Sequence, residues 1–172
     1  SMAELKTAKK LKATYNSAVF SGGYPEVIAK NIDPLDWYAG YIATYVERDV
    51  RQLKNISNLA QFTRLLRLCA GRTGQELNMT ALSNDCGIDQ KTVAAWLSVL
   101  QSSYVIYLLK PYYKNFNKRI TKAPKLYFYD TGLACSLLGI TAASDITLHS
   151  ARGSLFENLI ISELLKNQFN KG

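Results

Sequence analysis

NMTALSNDCGIDQKTVAAWLSVLQSSYVIYLL, residues 78–109, carries more structural information than any other part of the chain. The spacing predicts a helix from about Met79 to Cys86, ended by Gly87, which can take the left-handed conformation without a Cβ clash. Asp89 stands at the N-cap of a second helix, its carboxylate placed for backbone N–H groups near Lys91 and Thr92. Val93, Trp96, Leu97 and Leu100 then share one helical face. After Ser102 and Ser103 the pattern switches to an apolar, β-favouring run, Tyr104 to Leu109. Helix, tight turn, helix and strand in this order read as a winged helix.

A helix–turn–helix points toward DNA, but its charges complicate that reading. Between Met79 and Gln101 the charged residues are Asp85, Asp89 and Lys91, a net of −1. The outward face of the second helix presents Gln90, Lys91, Ala94, Ala95 and Ser98. Gln90 and Lys91 are able to read base edges, and Ala94 to touch a thymine methyl. That is a thin set of contacts, and a winged helix used for packing or protein contacts is the alternative.

Composition sets the outer bounds. With 172 residues, 48% hydrophobic and 20% charged, the chain can bury a core and hold one domain or two small ones. Its apolar runs are too short to span a bilayer, and no secretory signal opens it, so a cytoplasmic protein without membrane contact is expected. Ser1-Met2 reads as an expression scar, and the natural protein is expected to begin earlier. Cys69, Cys86 and Cys135 form neither a disulfide ladder nor a zinc pattern, and the single histidine, His149, excludes a His-rich metal site. The net charge of +8 sits in two places. Residues 1–12 carry four lysines against Glu4, and residues 110–125 carry Lys110, Lys114, Lys118, Arg119, Lys122 and Lys125 with no acid. The rest of the chain is nearly neutral.

Upstream, residues 3–12 favour a helix with a basic face. The loops SGGYPE (21–26) and GRTGQE (71–76) are the two glycine-paired stretches that could cradle phosphate, and neither has the Gly-x-x-x-x-Gly-Lys-Ser/Thr spacing. This chain has no ATP site of its own by that criterion. Asp33-Pro34 opens a helix expected to reach about Lys54, with Leu35, Tyr38, Ile42, Tyr45, Val46, Asp49 and Leu53 on one side. Asp49 on that stripe, near Glu47, Arg48 and Arg51, reads as a helix-surface ion pair, with a charge-paired acid facing another domain or a ligand as the alternative. Asn58 caps the next helix, which turns Leu59, Phe62, Leu65, Leu66 and Cys69 inward and Arg64 and Arg67 outward.

Downstream, Tyr112, Tyr113 and Phe116 interleave with the bases of the 110–125 segment, and Asn115 to Lys118 is placed to turn between strands Tyr104–Leu109 and Leu126–Tyr129. Such a wing suits phosphate contact, sequence-independent and salt-sensitive. It suits an acidic protein surface as well; six bases without an acid favour phosphate. Asp130 is a helix cap rather than a catalytic acid, and Gly139 stops the helix that it opens. In the last helix Leu155, Leu159, Ser162 and Lys166 define one face loosely, and Phe156, Ile160, Glu163 and Leu164 another. Glu157 and Glu163 are six apart, so they point in different directions.

The phrases GGYPEVI (22–28), YIATYVERDV (41–50), the helix–turn–helix, LLKPYYKNFNKRITKAPKLYFYDTGLA (108–134) and RGSLFENLIISEL (152–164) together resemble one family. It is the C-terminal domain of unknown function behind the motor in a group of bacterial and archaeal AAA-type (P-loop) ATPases. The resemblance runs over nearly the whole chain from about Val19. It implies a missing ATPase domain, to which ATP and magnesium would belong; no cofactor is expected in this fragment. It also implies an α+β fold, mainly helical with a small β component: a helical segment (1–76), a winged helix (77–129) and the truncated start of a restriction-endonuclease-like domain (130–172). In such nucleases a helical glutamate, matched here by Glu157, works with an aspartate and a Glu-x-Lys on adjacent strands; a lone carboxylate cannot hold magnesium. The fragment is therefore expected to be no enzyme. The expected function is nucleic-acid binding through Lys114, Lys118, Arg119 and Lys122, with Gln90 and Lys91 nearby. Docking on its own ATPase domain or on a second copy, and a nuclease cut short by the chain's end, are the alternatives.

Overall fold

Polar residues just ahead of the helices supply oxygens for the free N–H groups of the first turns. Thr14 does so for α1 (Tyr15–Ser21), while α2 (Pro25–Lys30) begins on a proline whose missing N–H costs nothing there. Asp33 caps α3 (Pro34–Thr44) and Asn58 caps α4 (Leu59–Gly71). Asn78, Asp89 and Asp130 repeat the device for α5 (Met79–Cys86), α6 (Gln90–Ser102) and α7 (Thr131–Leu137). A short 3-10 turn (Ala143–Thr147) leads to α8 (Arg152–Phe169). These elements come from a computed structural model of the chain, which describes residues 14–45, 50, 58–112 and 122–169. The helix expected to reach Lys54 is described as far as Tyr45 with Val50, so Glu47, Arg48, Asp49 and Arg51 lie outside the described residues.

The helix–turn–helix forms as its residues require. Gly87 takes φ 72° and ψ 35° and returns its N–H to the Ser83 carbonyl, and Asp89 accepts the Thr92 N–H at 2.9 Å. Val93, Leu97 and Leu100 of α6 are buried against Phe62 and Leu66 of α4 and Leu82 of α5. β1 (Ile106–Leu109) pairs antiparallel with β2 (Lys125–Phe128), Ile106 opposite Phe128 and Leu109 opposite Lys125. The first strand is two residues shorter than its β-favouring run. Tyr104 goes instead into ending α6: it takes φ 55°, and the N–H groups of Tyr104 and Val105 return to the carbonyls of Gln101 and Leu100. The second strand lies one residue upstream of the expected Leu126–Tyr129, because Asp130 and its neighbours turn directly into α7.

GRTGQE has a structural task. Gly74, at φ 74°, donates its N–H to the Leu126 carbonyl at 2.7 Å, Leu126 donates back to Gln75 at 3.0 Å, and Leu77 donates to Pro124 at 2.8 Å. The loop thereby covers the free edge of β2, which would otherwise leave a row of unpaired backbone groups. One hydrophobic cluster joins Phe62 and Leu66 of α4, Leu82 of α5, Leu97 and Leu100 of α6, Ile106 and Phe128 of the sheet, Leu133 of α7 and Leu155 of α8. The class is α+β, mainly helical with one small sheet.

α8 is oriented by polar contacts. Asn158, fully buried, aligns its amide with the backbone of Phe128, accepting that N–H at 2.7 Å and donating to that carbonyl at 2.9 Å; the Thr73 hydroxyl adds a bond of 2.7 Å. Leu155 and Ser162 turn inward with it. Phe156, Ile160 and Leu164 consequently face outward, 48%, 45% and 56% exposed.

Candidate nucleic-acid interface

On α6 the outer face is close to the sequence expectation. Lys91, Ala94 and Ser98 are exposed, whereas Ala95 is half-buried and packs against the core. Gln90 is exposed but not idle: its amide donates to the Thr80 hydroxyl at 3.1 Å, tying it back to α5. The two acids of the unit are both engaged within the protein. Asp85 pairs with the Arg72 guanidinium across the α4–α5 loop. Asp89 accepts the Thr92 hydroxyl at 2.6 Å and N–H at 2.9 Å, bonds to the charged form that hold its acid below the usual carboxylate range. The small negative balance of the motif is thus partly answered from inside, and Lys91 projects into solvent.

Lys110 and Lys122 are exposed at the two ends of the wing. Lys114, Lys118, Arg119 and the turn Asn115–Lys118 lie outside the described residues. Lys125, the sixth base of the segment, does not belong with them. Its ammonium stands 2.8 Å from Glu157, so a charge assigned to the wing by sequence is spent in an ion pair with α8.

Glu157, the position matched to a nuclease glutamate, has both its neighbours identified. Besides Lys125 it accepts the Tyr127 hydroxyl at 2.5 Å. The lysine first, then the tyrosine, hold the Glu157 acid below its ordinary range, while burial and the carboxylate push the Tyr127 phenol up. Glu163 pairs elsewhere, with Lys166 at 2.8 Å. Among the described residues no three His, Cys, Asp or Glu side chains converge as metal ligands would.

Asp130 is where two of the sequence phrases meet. Only 6% exposed, it caps α7 through the Leu133 N–H at 3.0 Å, accepts the Gly23 N–H at 2.6 Å, and lies 2.6 Å from the Tyr38 hydroxyl. SGGYPE is therefore a cradle for a carboxylate of the same chain. Gly22, at φ 65°, is needed because a Cβ there would run into Tyr38 and Asp130. The capping aspartate was legible in sequence; its bonds to Gly23 and Tyr38 were not. The three cysteines are free and buried, and burial pushes Cys69 and Cys135 up to about 12, which makes them poor nucleophiles. None of the described helices is long and apolar enough to cross a membrane.

Comparison with known proteins adds a family. A domain of unknown function, DUF8612, matches residues 12–144, well over half of the chain. An uncharacterised protein of Mycobacterium bovis and one of Mycobacterium tuberculosis are each 31% identical over 145 residues, 83% of this chain and 33% of theirs. The chain thus spans about a third of the length of the curated relatives it matches. No solved structure matches it. The chain belongs to the DUF8612 family.

Proposed function

We propose that this member of the DUF8612 family is the non-catalytic winged-helix part of an AAA-type ATPase and holds nucleic acid through its basic wing. The observation that carries the reading is the placement of charge. Bases without acids concentrate between the two strands of the hairpin, Lys110 and Lys122 are exposed at its ends, and both acids of the helix–turn–helix are engaged internally. Phosphate contacts of that kind give affinity and register, and Lys91 with Ala94 and Ser98 offers a small face to the groove. The motor is inferred from the sequence phrases that resemble the ATPase family. The curated relatives, about three times as long as the matched stretch, have room for such a domain. ATP and magnesium would act there. A catalytic role for Glu157 would require it to give up Lys125 and Tyr127, which favours a structural role.

The test is fluorescence anisotropy on labelled duplex and single-stranded DNA across a salt series. Micromolar binding that falls steeply with salt is expected, and replacing Lys118 and Arg119 by alanine should weaken it and reduce the salt slope by about 2. An unchanged slope would remove the wing from the interface. Docking on the ATPase domain, or on a second copy, has one observation in its favour, the outward apolar row Phe156, Ile160 and Leu164. Absence of DNA binding at low salt, with capture of the isolated motor domain, would make that the better reading.

A further inference from the structure

At the end of the hairpin opposite the wing, a cleft of about 220 Å³ is lined by Tyr24, Pro25, Tyr104, Tyr129, Asp130 and Lys166. We propose that this cleft takes one unpaired nucleobase of a single-stranded nucleic acid, stacked against Tyr104 and Tyr129. The inference rests on the nucleic-acid reading above and names the form of nucleic acid that is bound.

Tyr104 is the first reason. It is 69% exposed and sits at φ 55°, in the position after a helix that the backbone would best fill with glycine. A large ring is thus held in solvent at a site where its backbone works against it, and strain of this kind collects where a side chain is used. Its ring meets Tyr129 edge-on, with centroids 5.7 Å apart; Tyr129 in turn meets Tyr107 at 4.9 Å. Across the cleft Tyr24 is supported by Trp37 at 4.7 Å and Tyr41 at 5.3 Å. Both walls are therefore aromatic and braced from behind.

Charge is the second reason. The Asp130 carboxylate already accepts from Gly23, Tyr38 and Leu133, and Lys166 is paired with Glu163. The lining balances, which suits a neutral ring and not a phosphate. Phosphates find bases at the other end of the same hairpin, where Lys110 and Lys122 are exposed, six residues of extended chain from Tyr104 to Lys110 or about 20 Å away. One single strand of a few nucleotides spans both. Gly23, Asp130 and Lys166 also line a neighbouring groove of about 680 Å³ along α8.

The experiment uses the whole chain and labelled oligothymidylate, with a duplex of the same length beside it, and 2-aminopurine strands to report stacking. Tyr104→Gly removes the ring while suiting the local backbone, so the variant folds; Tyr129→Leu is the second variant. Loss of single-strand affinity by about 5- to 150-fold in both, with duplex affinity kept and 2-aminopurine quenching abolished, supports the cleft. Wild-type DNA binding that both variants leave unchanged overturns the cleft and spares the wing. No binding of either DNA at low salt overturns both readings. Binding of a proline-rich peptide that perturbs Tyr104 and Tyr129, without quenching of 2-aminopurine, assigns the aromatic walls to a protein ligand and overturns the nucleobase.

Discussion

Helices α6 and α8 have opposite surface logic. α6 buries Val93, Trp96, Leu97 and Leu100 and shows solvent Lys91, Ala94 and Ser98. α8 buries Asn158 and Ser162 beside Leu155 and shows solvent Phe156, Ile160 and Leu164. Apolar transfer oriented the first. In the second, the edge of β2 presented two backbone groups of Phe128 that no strand paired, and an asparagine amide answers both at once. Unpaired polar groups inside a core cost about 1–3 kcal/mol each, more than is lost by leaving a leucine half exposed. In α8, backbone satisfaction therefore outranked hydrophobic periodicity.

The contrast can be broken most forcefully at Asn158. Asn158→Leu would improve the apolar pattern of α8, yet it strands the Phe128 N–H and carbonyl and the Thr73 hydroxyl, and is expected to cost about 4 kcal/mol or more. A denaturant midpoint near wild type would show that polar contacts do not choose the face. Leu100→Ala is the counterpart on α6, where a fully buried side chain leaves a cavity, and about 3 kcal/mol should be lost in the same assay. At the end of α6, Tyr104→Gly relieves the positive φ and should stabilise the fold by about 1 kcal/mol in thermal melts. A large destabilisation would mean that the Tyr104–Tyr129 contact outweighs the strain.

Acid sharpens the picture of α8 by a smaller amount. Because Lys125 and Tyr127 depress the Glu157 acid in the folded state, its contribution is present above the unfolded value and is lost as pH falls through the lower, folded one. Both side chains of the ion pair are over two-fifths exposed, so screening keeps the effect below about 1 kcal/mol. Melts between pH 5 and 3 should therefore differ slightly between wild type and Glu157→Gln, the variant losing less on acidification. Identical pH profiles would deny the pair any energetic role. The smallest change is expected from Leu164→Ser on the outward row, within about 0.5 kcal/mol by the same melts. A larger loss would mean that the row is covered in solution.

Much of the helix–turn–helix was legible because its signals are local. Asn78, Gly87 and Asp89 act within a few residues of themselves, and α6 has one apolar face that needs no partner to be recognised. The site was less legible. Lys125 read as a wing base until α8 brought Glu157 to it, and Gln90 read as free until Thr80 of α5 reached it. The aromatic cleft was not legible. Tyr104 read as the first residue of a β-favouring run, and only the structure places it in the left-handed conformation that ends α6.

The sequence by itself determined the elements: the caps, the glycine turn, the inner faces of α4 and α6, the α+β class and the segregation of charge toward the hairpin. The caps, the turn and the inner faces follow from intrinsic backbone preference and from apolar spacing along a single helix or strand, the class from the family resemblance, and the charge segregation from the residue types alone. Only the tertiary structure decided which face α8 buries, that Gly23 would meet Asp130 across 107 residues of sequence, and that Tyr24, Tyr104 and Tyr129 would line one cleft. Those outcomes depend on which unpaired donor, acceptor or ring is brought close by packing, and a hydrogen bond between distant residues leaves no periodicity in either segment from which to read it.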